Sequence, residues 1–127
     1  MIRETSKILE QIVAKVDEIN IEIGLNIISN NKDKYVKILG LFYKQLKQYL
    51  DDISTALNDE DMKTFFVLIH SMKTTLATVG CIELSELALK LEVASRNNDV
   101  DYCKENFQTF NKRLHDVHEK LSIIFVI

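Results

Sequence analysis

Tyr35, Leu39, Phe42, Leu46, Tyr49, Ile53 and Leu57 follow one another at intervals of three and four residues without a break. At about 100° per residue that spacing gathers them on one side of a long helix, and an apolar side so regular has to be buried against something. The same period runs through Leu9, Ile12 and Val16, through Phe65, Ile69, Met72, Leu76 and Val79, through Leu84, Leu87, Leu91 and Ala94, and from Cys103 through Phe107, Phe110, Leu114, Val117 and Leu121 to Ile124. No proline interrupts any of these runs, and the chain has only 3 glycines in 127 residues. An all-α fold is the expectation.

The links between the stripes are short and polar. A first amphipathic helix is expected from Ser6 to about Glu18. Ile19 to Ile23 then alternates apolar and polar residues in a strand-like way, but no second such run exists to pair with it, so it reads as a connection, followed by a short helix near Leu25 to Ser29. Asn30 or Asn31 can cap the long helix, Asn58 and Asp59 can end it and cap the next, and Gly80 can close that one in a left-handed conformation. Asn97-Asn98-Asp99 breaks the fourth stripe from the fifth. These elements predict one domain over residues 1–127: an antiparallel four-helix bundle over 32–125, with an additional N-terminal cover helix and link in 1–22.

Composition excludes several classes. The net charge is −3 and lysine is spread along the chain, so there is no basic face for nucleic acid. The first residues lack the order of a secretory signal and no apolar run is long enough to span a bilayer, which predicts a cytoplasmic protein without membrane insertion. Cys81 and Cys103 are too few for a disulfide framework and read as buried thiols. The apolar Ile123-Ile124-Phe125-Val126-Ile127 reads as closing the bundle or pairing with another chain.

Chemistry concentrates on one helix. His70 falls at the edge of the apolar arc of its helix, where its imidazole should reach water, and Lys73 follows one turn later. A neutral imidazole with a free lone pair can accept a phosphoryl group, and an ammonium one turn away can offset the charge that arrives. The spacing of His70, Lys73, Ala77 and Gly80 resembles the signature of histidine-containing phosphotransfer (HPt) domains, in which a lysine follows the histidine by three, a small residue by seven and a glycine by ten. The likeness extends more loosely from about Gly24 to about Leu121, through Gly24-Leu25, Tyr35 to Phe42, Leu57 to Asp61 and Leu84 to Glu92. Thr74 departs from it, because the family usually has glycine there, to let a partner's backbone approach.

The resemblance implies a phosphorelay intermediate. His70 would take a phosphoryl group from an aspartyl phosphate on a receiver domain and pass it to another receiver, with Lys73 supporting the charge. Phe66, Val67, Thr74 and Ala77 would form the docking surface, and Gly80 the turn; the Thr74 hydroxyl can also donate to a phosphoryl oxygen. Such a module is not an enzyme by itself and has no cofactor or metal of its own; Mg²⁺ would come from the receiver. Response-regulator receivers and an upstream hybrid histidine kinase are the expected partners of a monomer.

Three other readings compete. One is the phosphate-accepting segment of a chemotaxis-type histidine kinase, with the same His-Ser-hydrophobic-Lys order. Another is a bundle that binds receivers without transfer. The last is a structural or metal-binding protein using His115, Asp116, His118 and Glu119, although a zinc site normally takes three or four protein ligands and no other cluster completes this set. No glycine-rich phosphate loop, nucleophile elbow or His-Glu-x-x-His pattern supports an ordinary enzyme. Capping and solvation account for Asp51-Asp52 and Asp59-Glu60-Asp61.

Overall fold

The computed structural model describes residues 2–125. Six helices follow one another: α1 (Ile2–Lys15), α2 (Ile21–Ile27), α3 (Lys32–Asn58), α4 (Met62–Val79), α5 (Ile82–Arg96) and α6 (Val100–Ile124), with no strand among the described residues. The long helices α3 to α6 form a closed ring in which each packs on the next and α6 returns to α3; α1 lies on α3 and α6, and α2 against α4. No helix is long and apolar enough to cross a membrane among the described residues.

The predicted stripes become the core. Tyr35, Leu39, Phe42, Leu46, Ile53 and Leu57 of α3 and all seven apolar positions from Cys103 to Ile124 of α6 are buried. Two positions shift: Leu50 is fully buried where the spacing pointed to Tyr49, and Ala88 where it pointed to Leu87. Both partners of each pair lie within one step of the core-facing line, and the smaller or purely apolar one goes inside because it leaves no hydroxyl or bulk to accommodate. Cys81 and Cys103 are free and buried, and burial pushes their thiols up to about 12 and about 11. Ile124 is buried and Phe125 packs on the core, whereas Ile123 faces outward; Val126 and Ile127 lie outside the described residues.

The connection expected at Ile19 to Ile23 is instead the start of α2. The Asn20 side chain accepts from the Ile23 amide at 3.2 Å, so a helix begins at Ile21, four residues ahead of Leu25, and ends at Ile27. Its core-facing side is the half-buried Ile21 with the buried Gly24 and Leu25, continued by the half-buried Ile28 just past its end, a helical spacing hidden beneath the local alternation. The first helix likewise stops earlier than expected, at Lys15, while Val16 and Ile19 stay buried in the link.

The three turns joining α3 to α6 share one form. Each ends its helix with a residue at positive φ (Glu60 at 54°, Gly80 at 91°, Asn98 at 57°). In each, the next amide reaches back six residues inclusive: Asp61 to Ala56, Cys81 to Leu76 and Asp99 to Ala94, at 2.8–2.9 Å. This double-bonded C-terminal cap satisfies carbonyls that the helix itself leaves open. It also moves the α4 cap. The left-handed residue occupies position 60, so Asp59 closes α3 and Asp61, not Asn58 or Asp59, caps α4 through the Thr64 amide at 3.2 Å.

Candidate functional site

The fold holds α4 firmly at its C-terminal end. The Tyr35 hydroxyl donates to the Val79 carbonyl at 2.7 Å and the Asn20 amide to the Gly80 carbonyl at 2.9 Å. Gly24 of α2 faces the same carbonyl end, and a Cβ there would lie 2.5 Å from the Tyr35 ring and 3.2 Å from Val79. Gly80 needs its glycine twice over: its φ is left-handed, and a Cβ would run into the Asn20 carbonyl.

Nine residues before that anchor, His70 stands out from the bundle with 56% of its side chain exposed. Its Nδ1 lies 3.1 Å from Oε1 of Glu92 on α5, a carboxylate whose side chain is only 4% exposed. Lys73 Nζ reaches the same oxygen at 2.8 Å, and an Arg96 guanidinium nitrogen takes Oε2 at 3.1 Å. Burial pushes the Glu92 carboxyl up, but hydrogen bonds and charge from Lys73 and His70 outweigh it and hold the group below the usual carboxylate range. Glu92 is therefore ionised at neutral pH and can only accept. A neutral His70 must then carry its proton on Nδ1, which leaves the lone pair on Nε2.

An aromatic and cationic layer flanks the imidazole. The Phe66 ring lies nearly parallel to that of His70, with centroids 6.1 Å apart, and the Arg96 guanidinium sits 5.6 Å over the Phe66 ring. Phe66 is half-buried, Val67 is 59% exposed, Ala77 is half-buried and Thr74 is exposed. The Thr74 hydroxyl donates back to the His70 carbonyl at 3.3 Å, so the expected donation to a phosphoryl oxygen needs a different rotamer. Thr75 and Thr78 bond back in the same way, and Ser85 of α5 takes the Lys73 carbonyl at 2.9 Å.

The structure thus brings His70, Lys73, Phe66, Val67, Thr74 and Ala77 to one edge of α4 and adds what the sequence reading missed, namely Glu92, Arg96, Leu89 and Val93 on α5. Leu89 and Val93 are exposed on the flank of α5 that carries Glu92 and Arg96. One signal was available: Glu92 follows Leu84 and Ala88 at helical spacing, so a carboxylate falls on a stripe that otherwise enters the core. The other histidines lie elsewhere. His118 stacks on Tyr43 at 4.9 Å, and no three His, Cys, Asp or Glu side chains cluster as a metal site among the described residues.

A family model described as Hpt domain matches residues 37–121, from the first turns of α3 to the last turns of α6. No curated protein and no solved structure matches the chain. The match spans all four bundle helices and the whole of the His70 cluster, and so the chain belongs to the Hpt domain family, with a phosphotransfer role in two-component phosphorelay.

Proposed function

We propose that His70 is the phosphoryl acceptor and that the protein is a relay intermediate between receiver domains. The observation that carries this reading is the hydrogen bond from Nδ1 to an ionised, buried Glu92 on a ring more than half exposed. In the forward step the Nε2 lone pair attacks the phosphorus of a receiver aspartyl phosphate, the N–P bond forms, and the acyl phosphate P–O bond breaks with its electrons left on the aspartate. No proton moves. The ring becomes cationic, and Glu92, on the far nitrogen, offsets that charge; return of the group to a second receiver reverses each change. Lys73 leaves Glu92 to meet the phosphoryl oxygens, and Arg96 keeps the carboxylate paired when it does.

Docking follows from the surroundings. Phe66, Val67 and Ala77 on α4, with Leu89 and Val93 on α5, give an apolar rim around a charged centre, which suits a transient interface. Thr74 narrows the approach above His70. Mg²⁺ belongs to the receiver, whose acidic pocket supplies its ligands, and the chain acts as a single cytoplasmic domain that carries the group without catalysing its transfer alone. Incubation with a receiver phosphorylated beforehand tests the assignment. Wild type, His115→Gln and His118→Gln acquire an acid-labile, alkali-stable label and His70→Gln does not. Equal labelling of His70→Gln overturns the site, and binding without labelling favours a receiver-binding bundle.

A further inference from the structure

A second surface lies across the bundle from His70. In the ring of helices the α4–α5 edge carries the histidine, and the α3–α6 edge is diagonally opposite. There, Lys37, Gly40, Leu41, Tyr43 and Lys44 of α3 and Phe125 line a depression of about 440 Å³. Leu41 is 56% exposed at its rim. Gly40 makes the hollow, since a Cβ at that position would touch the Phe125 ring at 3.6 Å. The Phe125 and Tyr43 rings stack at 5.8 Å and form the wall.

The charge along this stretch of α3 runs against that of the protein. The net charge is −3, yet between Asp33 and Asp51 the chain carries Lys34, Lys37, Lys44 and Lys47 and no acidic residue. Lys37, Leu41 and Lys44 repeat at four and three along one line of α3, so an apolar side chain stands between two ammonium groups. Neither lysine makes an ion pair among the described residues. Asp33, one turn before Lys37, accepts from the Thr5 hydroxyl and lines a neighbouring hollow with Glu4 and Lys37, and Glu119 is the acidic group beside His118 on α6, so Lys44 is the lysine farther from carboxylates.

We propose that this hollow docks an acidic amphipathic helix of a partner protein, which seats an apolar side chain on Gly40, Leu41 and Phe125 and sets carboxylates over Lys37 and Lys44. Charge complementarity selects this occupant. A second copy of the same face would bring Lys37 and Lys44 against their own counterparts, which repel. A flat anionic membrane cannot fill a concave hollow, and lysines alone give only about 1 kcal/mol each at such a surface. Because the hollow and His70 lie on opposite edges, a partner held here leaves the phosphotransfer face open.

The test is a titration of ¹⁵N-labelled protein followed by amide shifts. The probe is a helical peptide of about four turns with Leu and Phe at i and i+4, flanked a turn away on each side by glutamates. Saturable shifts confined to Lys37 through Lys44 and Phe125 are expected. Lys37→Glu with Lys44→Glu weakens binding about tenfold or more, both being exposed charges whose replacement leaves the fold intact, and His70→Gln leaves it unchanged. The proposal is overturned by equal binding of the same peptide with lysines for glutamates, by shifts centred on α4 and α5, or by absence of saturable shifts. It is also overturned if phosphatidylglycerol vesicles bind this face while the acidic peptide does not.

Discussion

Glu92 is the residue on which the electrostatics of the His70 face converge, the face proposed above for phosphotransfer. One buried carboxylate accepts from an imidazole, an ammonium and a guanidinium, and each partner is more exposed than it is. Replacing it with leucine should leave the melting temperature close to that of wild type, because an apolar group of similar volume removes the desolvation that the ion cluster had to offset. Transfer should suffer instead. A hydrogen bond to a charged group contributes about 1.5–3 kcal/mol, so Glu92→Leu should slow phosphorylation of His70 by about 10- to 100-fold, with Glu92→Gln between the two. Rapid-quench kinetics with a phosphorylated receiver measure this; an unchanged rate with Glu92→Leu removes the carboxylate from the reaction. His70 and Lys73 were legible in the sequence because one helical turn fixes their relation. The contact of Glu92 with His70 was not, because it crosses from α4 to α5, and no periodicity specifies which side chains meet between two helices.

At the scale of the element, the three turns of one form make a graded set. Glu60 adopts the left-handed conformation without the freedom of glycine, whereas Gly80 has it. Glu60→Gly should relieve about 1 kcal/mol of backbone strain, with the exposed ion pair to Lys104 lost in exchange for little. Gly80→Ala should lose about 1–3 kcal/mol from the backbone alone, before the encounter with the Asn20 carbonyl is counted. Urea midpoints of the two variants, moving in opposite directions, check the reading. Gly24→Ala belongs with Gly80→Ala and should destabilise by about 1–3 kcal/mol through overpacking on Tyr35 and Val79. The existence and type of the long helices were legible, since their stripes persist over many turns. The ends were less so: Asn20 overrode the alternation of Ile19 to Ile23 by capping, and the cap of α4 moved to Asp61 because a left-handed residue had to intervene.

Across the whole molecule, acid should act through groups far apart. His118 is stacked on Tyr43, and burial first, then Lys47 and His115, lower its tendency to protonate, with Glu119 opposing them. Its folded pKa lies below the unfolded value of about 6.5, so its contribution is complete above that pH. As pH falls below about 6.5 the unfolded chain takes up the proton first, and stability declines. Glu92 and Asp61, held below their ordinary values, contribute above those values and lose that contribution as acidity increases further. Urea midpoints at pH 7.5 and about 5.5 should therefore differ in wild type and converge in His118→Phe, which keeps the stack and removes the titration. The order of the ring was legible from short links, which force sequential neighbours to run antiparallel. The placement of α1 on α3 and α6 was not, because an amphipathic cover helix specifies that it is covered and not by what.

The bonds from Tyr35 to Val79 and from Asn20 to Gly80 pin the histidine helix at its far end, against a part of the chain that lies ahead of the family match. Two hydrogen bonds at that end oppose sliding or rotation of the helix to suit a visitor. Whatever accommodation an encounter requires falls to the visiting domain and to a few rim side chains. Tolerance of different receivers should then be tuned by small changes at that rim, while the angle at which the imidazole is offered stays the same for all of them.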